Sequence, residues 1–135
     1  MLHFKTFIKQ DTLSWVTFVH GAGGSSAIWY KQLRDFKREH NVLLIDLRGH
    51  GKSKSKIYQK LKSYTFNALS DEVIEVLDHL KIQTSHFVGI SLGTIIIREI
   101  AERFPKRCES LILGGAVMKL NFRGQVLMRL GVLLK

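Results

Sequence analysis

Residues 86–93 read His86-Phe87-Val88-Gly89-Ile90-Ser91-Leu92-Gly93, a short apolar run leading into a serine flanked two residues away on each side by glycine. This Gly-x-Ser-x-Gly spacing has a steric reason. A serine on a strained strand-to-helix bend needs neighbours without side chains at Gly89 and Gly93, where two backbones crowd together. The bend lifts Ser91 Oγ clear of a sheet, and the first amides of the following helix lack intrahelical acceptors, so they can face a developing oxyanion. A glycine-rich loop with an incidental serine carries the same letters, so the flanking sequence has to decide.

Upstream, residues 14–19 read SWVTFV, a strand pattern rich in aromatic and β-branched residues that runs into His20-Gly21-Ala22-Gly23-Gly24. Glycines there let the chain turn sharply and bring backbone amides close to a ligand, so this loop can supply a second oxyanion donor. A third transition follows in residues 41–53, NVLLIDLRGHGKS, a buried-strand run and then a glycine-punctuated loop.

Through His20-Gly21-Ala22-Gly23-Gly24, Asp46-Leu47-Arg48-Gly49-His50-Gly51-Lys52-Ser53 and Gly89-Ile90-Ser91-Leu92-Gly93, the chain resembles the N-terminal half of the α/β-hydrolase family. The resemblance implies that Ser91 is the nucleophile and that the backbone N–H groups of Leu92 and Ala22 form the oxyanion hole, supported by His20, Gly21, Gly23, Gly89 and Gly93. It also implies a chain order of Ser, then Asp or Glu, then His. After Ser91 the sequence contains no Asp and no His, only Glu99, Glu102 and Glu109. A serine hydroxyl is a weak nucleophile without a base, and the base needs an orienting partner. The expectation is therefore a chain truncated before its triad acid and histidine. His20 and His50 both fall on loops at the carboxyl edge of the expected sheet, but they read better as loop-shaping residues than as an alternative base. Asp46 reads as a loop organiser that pairs with nearby backbone or with Arg48, and His3, His40, His79 and His86 read as surface or strand-entry residues.

Hydrophobic periodicity predicts strands over residues 2–8, 14–19, 41–47, 85–90 and 110–113 and helices over 28–38, 67–80 and 92–104. In the first helix Ile28, Trp29, Leu33 and Phe36 form the apolar face. In the second, Leu69, Val73, Val76, Leu77 and Leu80 do, with Asp71 and Glu72 complementing the dipole of its first turn. Pro105 stops the third. Strands alternating with helices predict an α/β fold, a mostly parallel sheet with helices on both faces, here an incomplete hydrolase core without its C-terminal strands. Residues 1–116 form that core. Residues 117–135 read as a basic amphipathic helix broken near Gly124 and Gly131, the start of a cap or lid by the resemblance; a membrane-surface helix is the rival reading. Its apolar face offers a route to self-association.

A chain of 135 residues suffices for one core, and 45% hydrophobic with 24% charged residues is the balance of an ordinary globular protein. One cysteine, Cys108, excludes an internal disulfide. No stretch of the amino terminus is apolar enough for a signal peptide or a span, which points to the cytoplasm. The net charge is +10, with Arg48, Lys52, Lys54, Lys56, Lys60 and Lys62 concentrated in residues 48–62. An anionic partner is one reading, but a solvated basic loop is the better one, because no nucleic-acid motif accompanies the charge and the interleaved aromatics are only Tyr58, Tyr64 and Phe66. No His or Cys cluster has ligand spacing, so no metal and no cofactor are expected. The sequence thus points to a serine hydrolase acting on an ester or related carbonyl compound, with a small-molecule substrate. Two other classes stay open: a catalytically inactive fragment that associates with a partner chain, and a basic surface-binding protein.

Overall fold

The computed structural model describes residues 1–54 and 64–117. The expected helix beyond Val117, and Lys56, Tyr58, Lys60 and Lys62 of the basic run, lie outside the described residues. Among the described residues five strands, β1 (His3–Phe7), β2 (Trp15–Val19), β3 (Asn41–Asp46), β4 (Ser85–Ile90) and β5 (Cys108–Gly114), form one sheet in the order β1-β3-β2-β4-β5. All neighbours are parallel except β1, which pairs antiparallel with β3. Among the described residues three α-helices, α1 (Tyr30–Phe36), α2 (Phe66–His79) and α3 (Leu92–Arg103), cover the two faces.

Side-chain alternation along the strands divides the core. On β3, Leu43 and Ile45 point to the layer of α2 and α3, with Val19, Phe87, Val73, Leu77, Ile96, Ile97 and Ile100. Val42 and Leu44 point the other way, to Val16, Phe18, Trp29 and Val88, with Leu33 and Phe36 of α1 packed over them. Full burial of an Ile or Leu contributes about 1.5–3 kcal/mol, so these two layers supply most of the drive to fold.

Several boundaries differ from the sequence reading. The first predicted helix begins as a 3₁₀ turn, Ser26–Trp29, with the Ser25 side chain accepting from the Ala27 amide; α1 follows and ends at Phe36. Three residues per turn set Ser26 and Trp29 on the inside and leave Ile28 44% exposed, so Ile28 is not part of the buried face. Helix α2 starts at Phe66, capped by Thr65 Oγ1, which moves Asp71 and Glu72 beyond the first turn. Strand β5 begins at Cys108 rather than 110, and an irregularity opposite Ser85 and His86 accommodates Glu109 as an extra residue.

From β2 the chain moves to β3 on one side, then crosses back to β4 on the other. The loops leaving β2 and β4 therefore diverge to opposite faces at the carboxyl ends of two adjacent strands, the topological switch point of the sheet. No helix among the described residues is long and apolar enough to cross a membrane.

Candidate active site

Ser91 sits at that switch point, between the last residue of β4 and the first of α3, exposed and with φ 50° and ψ −115°. A non-glycine residue held there stores about 1–3 kcal/mol of strain, which persists only because the surroundings fix it. Its N–H donates to Gly114 O of β5 at 3.0 Å, and its carbonyl accepts from the Thr94 amide at 2.9 Å and Thr94 Oγ1 at 2.6 Å. Replacing Ser91 by Gly is expected to raise stability by about 1 kcal/mol, strain relief exceeding glycine's extra unfolded-state entropy. Equilibrium urea unfolding checks it.

The glycines of the motif have the steric role their spacing suggests. A Cβ on Gly89 would lie 2.8 Å from the Gly93 carbonyl group, and one on Gly93 would lie 2.2 Å from Val19 O. Strand β4, helix α3 and the end of β2 thus touch backbone to backbone. Gly21, the second residue of the loop after β2, abuts the serine itself: a Cβ there would be 3.2 Å from Ser91 Cβ and 3.8 Å from Ser91 Oγ. Ala22 and Gly23 follow, both exposed, with Gly23 at φ 77°. Leu92 is the first residue of α3, so its amide precedes every intrahelical acceptor.

The histidines account for themselves one by one. His20 is fully buried; its Nδ1 donates to Gly21 O at 2.7 Å and its Nε2 accepts from the Leu47 amide at 3.0 Å. Burial lowers its pKa from 6.5, against the Gly21 hydrogen bond. His50 Nδ1 donates to Arg48 O at 3.0 Å and its Nε2 accepts from the Gly23 amide at 2.9 Å. With both ring nitrogens engaged in backbone hydrogen bonds, neither imidazole has a lone pair to take a proton from Ser91. His3 pairs with Asp46 at 3.1 Å, His40 with Ser14 Oγ at 2.8 Å, and His79 packs on Phe4. His86 Nδ1 contacts Ser110 Oγ at 2.7 Å and its Nε2 lies 3.3 Å from Glu109, but Ser110 is on a strand with no helix start beside it.

Asp46 is the loop organiser, through backbone rather than through Arg48. Its Oδ1 accepts from the Ser26 amide at 2.7 Å and its Oδ2 from the Lys52 amide at 3.0 Å. Burial pushes its carboxyl up, but these amides and His3 together pull it below 3.8. A depressed folded-state pKa means stability present above 3.8 and lost as pH falls through the folded value, so Asp46→Asn is expected to flatten the acid limb of a stability–pH curve.

Arg48 leaves the basic run altogether. It is buried with Glu72 of α2 in a two-pronged pair, Nε to both carboxylate oxygens at 2.9 and 3.1 Å and Nη2 to Oε1 at 2.6 Å, with the Tyr64 ring 5.7 Å away. Sequence reading missed this contact. The signal was present: Glu72 is three residues after Leu69 and four before Val76, inside the stripe that α2 buries.

A family model described as alpha/beta hydrolase fold matches residues 14–129. The chain belongs to this family. It is 30% identical over 120 residues to 3-oxoadipate enol-lactonase 2 of Acinetobacter baylyi, an overlap covering 89% of this chain and 43% of that protein. Its fold matches the crystal structure of a hydrolase from Pseudomonas aeruginosa PA01 with a TM-score of 0.86 and 29% identity, over 99% of this chain and 49% of the other. The enol-lactonase of Burkholderia xenovorans LB400 matches with a TM-score of 0.74 and 28% identity, over 82% and 41%. The chain therefore spans less than half the length of these alpha/beta hydrolase relatives.

Proposed function

We propose that this chain carries the nucleophile half of a serine hydrolase that cleaves a carboxylic ester or lactone. Ser91 attacks the carbonyl carbon, the amides of Leu92 and Ala22 hold the oxyanion, and the acid and base come from sequence beyond these residues. The observation that carries the reading is Ser91 exposed at positive φ between β4 and α3, with Gly21 packed against it. Enol-lactonases among the relatives point to a cyclic ester as the substrate class.

The attack converts the carbonyl to a tetrahedral oxyanion, and expulsion of the alkoxide leaves an acyl group on Ser91 Oγ. The hydroxyl proton needs an acceptor, which no histidine of this chain offers. With p-nitrophenyl acetate the 135-residue chain is expected to release at most one equivalent of nitrophenolate, slowly, with the acetyl group on Ser91.

One observation favours a second reading. Among the described residues β5 pairs only with β4, and Ile112 is 53%, Leu113 37% and Ile90 39% exposed. An open edge with apolar side chains is a template for another strand. In that reading the chain is catalytically inactive and completes its sheet with a partner chain. A chain that associates, as read by size-exclusion chromatography, and carries no acyl group on Ser91 after p-nitrophenyl acetate favours the second.

A further inference from the structure

Two loops at the carboxyl edge of the sheet, one after β2 and one after β3, exchange side chains. His20 leaves β2 and reaches across to the Leu47 amide in the loop after β3, at 3.0 Å. His50 leaves that second loop and reaches back to the Gly23 amide in the first, at 2.9 Å. We propose that His20 and His50 act as a reciprocal clamp, two positioning residues that set the Gly21–Gly23 loop against Ser91 and do so only while both imidazoles are neutral. The catalytic meaning of this clamp rests on the function proposed above; its existence does not.

The chemistry of the ring enforces neutrality. Each Nδ1 donates to a carbonyl of its own segment, Gly21 O for His20 and Arg48 O for His50, so the hydrogen is held on Nδ1 and the Nε2 lone pair is left to accept. Protonating either Nε2 sets N–H against N–H and breaks the cross-tie. The rings lie 5.1 Å apart by their centroids, so charge on one also opposes charge on the other. Among the described residues the surrounding charges include Asp46 on β3, which favours a charged His20 and is itself bonded by His3 of β1, and the Arg48–Glu72 pair between the second loop and α2, with Tyr64 beside it. Helix α3 contributes backbone: a Cβ on its Gly93 would lie 3.0 Å from His20 O. Burial of His20, fully out of solvent, outweighs the pulls of the Gly21 hydrogen bond and of Asp46 and lowers the pKa of the ring.

The clamp transmits directly to the serine. Gly21 O accepts from His20 Nδ1 and from the Gly24 amide at 3.1 Å, which pins the turn whose Gly21 touches Ser91. Freeing Gly23 would let the Ala22 amide swing.

Long-range proton–nitrogen NMR on the uniformly labelled 135-residue chain tests this. At neutral pH both rings are expected as the Nδ1–H tautomer. On mild acidification the Gly23 and Leu47 amides are expected to lose exchange protection in one step, by roughly tenfold or more. In His50→Gln, whose carbonyl accepts without titrating, Gly23 keeps its protection in acid; in His50→Phe, Gly23 loses it and Leu47 loses part. An Nε2–H tautomer on either ring, separate acid steps for the two amides, or a Leu47 amide indifferent to His50→Phe would overturn the clamp. Should His50→Phe not fold, the tautomers and the acid step of the unsubstituted chain decide. The readout is on Gly23 and Leu47, so it distinguishes a failed clamp from an unreactive Ser91.

Discussion

Glu72→Ala is expected to cost about 3–5 kcal/mol, a large part of the roughly 5–15 kcal/mol that holds a typical domain together. The reason is asymmetry. Arg48 is fully buried and always charged, and its guanidinium makes three contacts at 2.6–3.1 Å with the Glu72 carboxylate. Removing the carboxylate leaves the cation dehydrated without its counter-charge. The substitution acts on the site as well, because Arg48 O is the acceptor for His50 Nδ1, so loosening Arg48 loosens the ring that holds Gly23. Replacing both partners by Met and Leu is expected to recover most of the stability, since no charge is then stranded. A two-state urea titration of the single and double variants beside the unsubstituted chain measures it. Equal losses in the single and double variants would show that the charge is not what matters there.

Gly93→Ala is the second large effect. The new methyl would lie 2.2 Å from Val19 O and 2.9 Å from Val19 C, well inside any real contact distance, and the neighbour is the backbone of a central strand. A flexible side chain could yield; β2, paired on both sides, cannot. Helix α3 must then move off the sheet, carrying Ser91 and Leu92 with it and opening the layer of Ile96, Ile97 and Ile100. A cost of about 3 kcal/mol, at the upper end for overpacking, is expected, with loss of any reaction at Ser91. Urea unfolding gives the first and acylation the second. Gly23→Ala is a useful contrast: a Cβ there meets nothing within 4 Å, so only the strain of φ 77° opposes it.

The elements near Ser91 are legible in the sequence because each rests on a local rule. Gly89 and Gly93 are where backbones cross, and the continuous apolar run in residues 41–47 is what a strand buried on both faces demands, with Val42 and Leu44 to one layer and Leu43 and Ile45 to the other. What is not legible rests on contacts between distant segments. Ser26 is buried because its amide is tied to Asp46, a partner on β3, and the resulting 3₁₀ turn leaves Ile28 outside despite its hydrophobicity. Glu72 reads as a complement to the helix dipole when its helix is considered alone, since its partner Arg48 lies 24 residues away in a loop. His20 and His50 read as loop-shaping residues, but that each serves the other's loop follows only from the parallel packing of β2 on β3. The motif places the serine; the cross-ties between loops decide what faces it.

Whether Ser91 is a poised nucleophile is decided covalently. The chain is incubated with a fluorophosphonate, with and without added imidazole to stand in for the missing base, and the adduct is mapped by peptide mass spectrometry. One phosphonyl group is expected on Ser91, formed slowly alone, faster with imidazole, and absent in Ser91→Ala. Labelling that spreads over other hydroxyls, or that survives in Ser91→Ala, would show that the bend after β4 confers no special reactivity on its serine.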